Sequence, residues 1–263
     1  MSIKRLLLTL CVCTITNLHA AANNTELKTI SDIHSAYKNN STTAEQLTHT
    51  YIDRINALNP KYNAVISIEP TAIEQAKQLD ALFKAGKWAG PLHGIAVLLK
   101  DNIETTGTLP TTAGSLALKN NITNKDAFVV KQLRQAGAII LGKANLSEWA
   151  NFRSSYSSSG WSAIGGQTHN AHDVTRNPCG SSSGSAVAVA LNFAPIALGT
   201  ETDGSITCPA SVNGVYAIKP SMGQVSRAGV VPLSSSQDSV GPMAHSLKDA
   251  LAVLSVIQGE DPN

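Results

Sequence analysis

Apolar residues return along this chain in two rhythms. Leu47, Tyr51, Ile55 and Leu58 recur at helical spacing, so a helix over residues 42–57 should turn one side to a core. Thr42-Thr43-Ala44-Glu45 fits a capping box at its start, and Asn59-Pro60 predicts its end. Residues 62–68 are expected as a strand, with helices over 72–85 and 126–136. The second rhythm is an unbroken apolar run. Residues 94–99 (GIAVLL) and 138–141 (AIIL) are short and wholly apolar or glycine, as strands buried on both faces should be. Small residues over 184–192 predict a helix, followed by a strand over 196–198 that runs into Gly199. A strand over 215–218 and a helix over 247–257 complete the pattern. Strands alternating with helices predict an α/β fold: a mixed, mostly parallel central sheet covered by helices.

Two stretches break the rhythm. Residues 150–185 are rich in Ser, Gly, Asn and Thr, and a long irregular segment inside a compact domain points to a functional site or a linker. At the N-terminus, Lys4 and Arg5 precede an apolar run over 6–15 and then Ala20-Ala21-Ala22. That is the layout of a secretory signal peptide, with cleavage expected after Ala22 and Ala20 as the alternative. The run is too short to span a bilayer, so residues 1–22 are expected to be removed. A single domain over 23–263, secreted or periplasmic and without membrane contact, should remain.

Composition narrows the possibilities. Hydrophobic residues make up 43% and charged residues 14% of the 263, which supports a sizeable core and excludes wholesale disorder. A net charge of +2 with no basic tract argues against a nucleic-acid partner. Cys179 and Cys208 are the cysteines left after the signal. Export permits a disulfide, but two buried thiols are the favoured reading. His169 and His172 form an H-x-x-H in a polar loop with no acidic partner, so no metal and no cofactor are expected.

Three polar segments follow buried strands or open small-residue helices. Lys100, in Leu99-Lys100-Asp101-Asn102, ends an apolar strand. It is either a solvated strand-end charge or a desolvated amine able to act as a base. Residues 179–185 (CGSSSGS) open a helix but lack the lysine of a phosphate-binding loop. Residues 199–206 (GTETDGSI) place Gly204 beside Ser205, where a tight turn could aim several main-chain N–H groups at one point.

Together these segments resemble the amidase signature family, which carries K-D-N, G-G-S-S-G-G-S and G-T-D-T-G-G-S-I followed by P-A-S. Here they stand as Lys100-Asp101-Asn102, residues 179–185, and residues 199–206 followed by Pro209-Ala210-Ser211. Ser181 and Ser205 lie 24 positions apart, as in that family. Further matching stretches, among them PLHGIAVLLKDNIETTG, GKANLSEWANFRSS and SQDSVGPMAHS, extend the resemblance over residues 27–258. RNPCGSSSGSA and GTETDGSITCPAS look most like bacterial peptide amidases, which remove C-terminal amides from peptides. The resemblance implies Ser205 as nucleophile, Ser181 (after a cis peptide bond) as proton relay and Lys100 as a neutral base. It also implies an oxyanion hole from the N–H groups of Thr202, Asp203, Gly204 and Ser205, with Ser182 and Ser183 as supporting hydrogen-bond partners.

The implied partner is a small-molecule or peptide amide. Cys179, Ser183 and Asp203 stand where the wider family has glycine. Asp203 could recognise a cationic or amide group, or simply cap. Because family members run well past residue 263, the chain is expected to lack the C-terminal part of the domain. Two other readings compete. One is a catalytically inactive remnant or binding module. The other is a subunit of a tRNA-dependent amidotransferase, which the signal peptide disfavours.

Overall fold

The computed structural model describes residues 27–259; the signal-peptide pattern over 1–22 lies outside the described residues. In chain order the elements are α1 (Ile30–Lys38), α2 (Ala44–Tyr62), β1 (Val65–Ile68), α3 (Ala72–Lys84), β2 (Ala96–Lys100), α4 (Phe128–Gln135) and β3 (Ile139–Ala144). A short hairpin, β4 (Trp161–Ser162) and β5 (Gly166–Gln167), follows. Then come α5 (Ser183–Ala190), β6 (Ile196–Glu201), α6 (Thr207–Asn213), β7 (Tyr216–Ala217), β8 (Ser239–Ala244) and α7 (Leu247–Ile257).

Six strands form one sheet in the order β1-β3-β2-β6-β8-β7. The central β3, β2 and β6 are parallel, while β1 and β8 run against them. β7, antiparallel to β8, points with the centre, so the sheet is mixed and mostly parallel. Every residue of β2, β3 and β6 is buried, which is why these strands read as continuous apolar runs. From β2 the chain steps one way to β3 through α4 and back across β2 to β6 through α5. Right-handed crossovers in opposite directions require α4 and α5 on opposite faces. α5 packs on β2 and β6, and α4 packs on β3 and α7.

Several boundaries move. The capping box is one residue later than expected. Thr43 is the N-cap, its side chain accepting from Gln46 N–H while the Gln46 side chain accepts from Thr43 N–H. Asp80 of α3 sets this frame, because its two carboxylate oxygens take the N–H groups of Ala44 and Glu45 at 2.8 and 2.9 Å. The helix also passes through Pro60 to Tyr62. It ends at Asn63, in the left-handed region, whose N–H bonds Asn59 O. β8 is absent from the sequence pattern: Gly241 and Pro242 read as a break, yet the strand is buried throughout. A Cβ on Gly241 would collide with the Ile218 carbonyl, so glycine allows the close approach here. Helices α1 and α6 are likewise additions to the expected elements.

Candidate active site

Lys100 is the last residue of β2 and is fully buried. Its Nζ lies 2.7 Å from Ser181 Oγ, 2.8 Å from Thr200 Oγ1 and 3.1 Å from Thr200 O. Burial pushes its pKa down to about 7, against the opposing pull of Asp238 and Glu201. The uncharged amine has two N–H groups and one lone pair. Of its three neighbours the Thr200 carbonyl can only accept, so a hydroxyl of Ser181 or Thr200 must donate to the nitrogen.

Ser181 reaches this amine from the loop that opens α5. The Gly180–Ser181 peptide bond is cis, and Cys179 has φ of 57°. The Ser181 carbonyl accepts from Ser147 N–H at 3.0 Å. Ser182 locks the loop to β6. Its Oγ donates to Thr200 O at 3.0 Å and accepts from Thr200 N–H at 3.1 Å, and its own N–H donates to Ser205 O at 3.1 Å. Ser183 serves the loop itself, donating to Cys179 O at 2.6 Å.

Ser205 sits on the turn between β6 and α6 and is 7% exposed. Among the described residues its hydroxyl makes no hydrogen bond. Of the expected Lys100–Ser181–Ser205 chain, the first link is therefore present and the second is not. The N–H groups of Thr202, Asp203, Gly204 and Ser205 likewise donate to no acceptor among the described residues. Gly204 has φ of 73° with open space where a Cβ would stand, and Asp203 is exposed. Glu201 sets this turn. Its buried carboxylate accepts from Ile206 N–H at 2.6 Å and Thr207 N–H at 2.8 Å. It thereby engages the two amides after Ser205 and leaves four consecutive donors free.

Asp238 supports the other side. It accepts from Thr202 Oγ1 at 2.6 Å and from the N–H groups of Leu233 and Ser234. Beside it opens a cavity of about 300 Å³ lined by Asn102, Thr200 and Thr202 together with the apolar Val231, Leu233 and Val240. Sequence reasoning missed Glu201, Asp238 and Thr200. Each lies in a motif that matches the family, but a carboxylate bonded across a turn leaves no periodic signal.

The expectation of two buried thiols is corrected: Cys179 and Cys208 form a disulfide, with Cα atoms 5.9 Å apart. The Ser182–Ser205 main-chain bond runs the serine loop alongside the Ser205 turn and brings the two cysteines together. His169 Nδ1 meets the Val174 carbonyl and His172 Nε2 the Asn213 carbonyl.

The fold recurs in known proteins. The peptide amidase of Stenotrophomonas maltophilia superposes with a TM-score of 0.87 at 51% identity, over 90% of this chain and 49% of that one. A probable amidase of Arabidopsis thaliana is 50% identical over 236 residues, 89% of this chain and 46% of its own length. A glutamyl-tRNA(Gln) amidotransferase subunit of Symbiobacterium thermophilum is 46% identical over 220 residues, 83% and 44% respectively. The chain thus spans about half the length of these relatives. Residues 46–263 match the family model described as Amidase, and the chain belongs to the amidase signature family.

Proposed function

We propose that this chain carries the catalytic groups of a serine amidohydrolase acting on a linear carboxamide. The observation that carries the reading is the buried, depressed-pKa Lys100 amine 2.7 Å from Ser181 Oγ. In this mechanism the Ser205 hydroxyl attacks the amide carbon. Its proton passes to Ser181 Oγ while the Ser181 proton passes to Lys100 Nζ. The tetrahedral oxyanion settles against the free N–H groups of residues 202–205. Its collapse breaks the C–N bond, and Lys100 returns the proton through Ser181 to the leaving nitrogen, which departs as ammonia. Water then attacks the acyl ester on Ser205 by the reverse relay and releases the carboxylate.

A peptide C-terminal amide is the proposed substrate, on the strength of the Stenotrophomonas peptide amidase at 51% identity. Export fits the N-terminal pattern, and the Cys179–Cys208 disulfide suits an oxidising compartment. Incubation of the chain with a fluorophosphonate, followed by mapping of the modified residue, tests the reading. Label on Ser205, abolished in Ser205→Ala, supports it; a folded protein that takes label elsewhere or nowhere overturns it. Release of ammonia from amidated peptides, rather than from glutamine, separates it from an amidotransferase-like role.

A further inference from the structure

Lys143 is the second fully buried lysine of the described residues, and the mechanism above does not use it. In the β2–β3 register Leu99 pairs with Lys143 and Lys100 pairs with Ala144. Paired residues share a face and successive residues alternate, so Lys100 and Lys143 leave the sheet on opposite sides. Lys100 goes to the serines. Lys143 goes to Asp101, its Nζ 3.5 Å from Asp101 Oδ1, and donates to Ile103 O and, at 3.0 Å, to Thr111 Oγ1. Asp101 in turn accepts from the N–H and hydroxyl of Thr112, while its Oδ1 has the Lys143 charge but no hydrogen bond.

These contacts converge on the turn that follows Lys100. Asp101 N–H bonds Ala144 O, Ile103 N–H bonds Lys100 O, and Ala113 N–H bonds Asp101 O. Inside the same turn Asn102 Nδ2 reaches Thr200 Oγ1 at 3.0 Å, the hydroxyl that also meets the Lys100 amine. A buried ion pair is a weak source of net stability, because desolvating both charges offsets their attraction. Its presence directly behind Lys100 therefore points to a role in position.

We propose that Lys143 and Asp101 are positioning residues of the candidate active site, a buried pair that holds the Lys100–Asn102 turn and with it keeps the Lys100 amine shielded from water. The inference rests on the amidase reading. The ionisable groups around Lys100 are Asp101 next in the chain, Glu201 at the end of β6 and Asp238 before β8; α5 carries none. Lys143 faces Asp101 and Glu104. Burial pushes the Asp101 carboxyl up and the Lys143 amine down, so either group left without the other neutralises and places no new charge beside Lys100. What each single change removes is the anchor of the turn, and a loosened turn lets water reach the Lys100 amine and weakens the desolvation that holds its proton off. A loss of stability elsewhere in the fold would leave the titration of Lys100 in place.

The test is the pH dependence of fluorophosphonate labelling of Ser205 in the wild type, Lys143→Met, Asp101→Asn and the double variant, each checked for a cooperative melt. The labelling inflection should move up by about one pH unit in both Lys143→Met and Asp101→Asn, because a rehydrated Lys100 amine holds its proton to higher pH. It should stay raised in the double variant, with a labelling rate below wild type, because the turn has lost both of its anchors. Folded single variants with the wild-type inflection overturn the inference. If Lys143→Met does not fold, Asp101→Asn decides alone, and an unmoved inflection there overturns it. A wild type unlabelled at every pH removes the amidase reading and this inference together; a labelled wild type with unmoved variants removes only this one.

Discussion

Glu201 and Ile206 are joined across the turn that presents Ser205: the carboxylate oxygen of one accepts the N–H of the other at 2.6 Å. Thr207 N–H shares that oxygen at 2.8 Å, so one buried side chain both caps α6 and closes the turn. Glu201→Ala leaves these two amides without an acceptor and the four free donors before them without a fixed direction. The expected outcome is a fall in kcat of about tenfold to a hundredfold with KM little changed, since an oxyanion interaction matures in the transition state. Glu201→Gln, which keeps one accepting oxygen, should lose less. Steady-state ammonia release checks both, and a folded Glu201→Ala enzyme with wild-type kcat contradicts the assignment.

Lys100 titrates near 7 because burial disfavours its charged form, so the fraction able to accept a proton rises as pH climbs through that value. The kcat/KM profile should rise toward alkaline pH with an inflection near 7. In Lys100→Ala that inflection should vanish and activity should fall about 10²- to 10⁴-fold, the usual contribution of a positioned general base. Profiles between pH 5 and 9 decide the matter; an inflection that survives the substitution assigns it to another group.

How much of this is legible in the sequence depends on whether the signal is local. β2, β3 and β6 stand out because burial on both faces leaves only apolar residues and glycine, apart from Lys100, Lys143 and the polar end of β6. β8 does not, because Gly241 and Pro242, usual strand breakers, are tolerated where Gly241 meets the Ile218 carbonyl and Pro242 needs no N–H partner. The contact of Lys100 with Ser181 bridges 81 residues, and only the family's motif spacing points to it. Composition cannot tell Lys100 from Lys143; strand register separates them by face. The disulfide requires knowing that two loops lie side by side, which no spacing of two cysteines can reveal.

Cys179 precedes Ser181 by two residues and Cys208 follows Ser205 by three, so their disulfide straps together the two segments that carry the serines. Replacing both cysteines by alanine should lower stability by about 2–4 kcal/mol, as for other cross-links closing loops of tens of residues. A thiol reductant should shift the wild-type melt by the same amount and leave the double variant unmoved. Thermal melts with and without reductant, alongside a count of free thiols, check this. Wild type that is fully reduced yet melts unchanged excludes a stabilising strap.

The same depressed lysine leaves a mark on stability whose sign is fixed by linkage. In the folded chain Lys100 gives up its proton near 7, whereas in the unfolded chain it holds it to an ordinary lysine value of 10.5. Between those values the unfolded state binds more protons, so this residue's contribution to stability rises with pH. Below 7 both states are protonated and the full penalty of burying the charge applies, on the order of several kcal/mol. Lys100→Met removes the penalty while keeping the volume. It should therefore unfold at higher denaturant than wild type at pH 6, and the gap should narrow steadily toward pH 10 as the wild type recovers. Urea titrations of both proteins at pH 6, 8 and 10 read the difference directly. A gap independent of pH would mean that the Lys100 amine keeps its proton in the folded state, and Ser181 would then face an ammonium with no lone pair to receive its hydrogen.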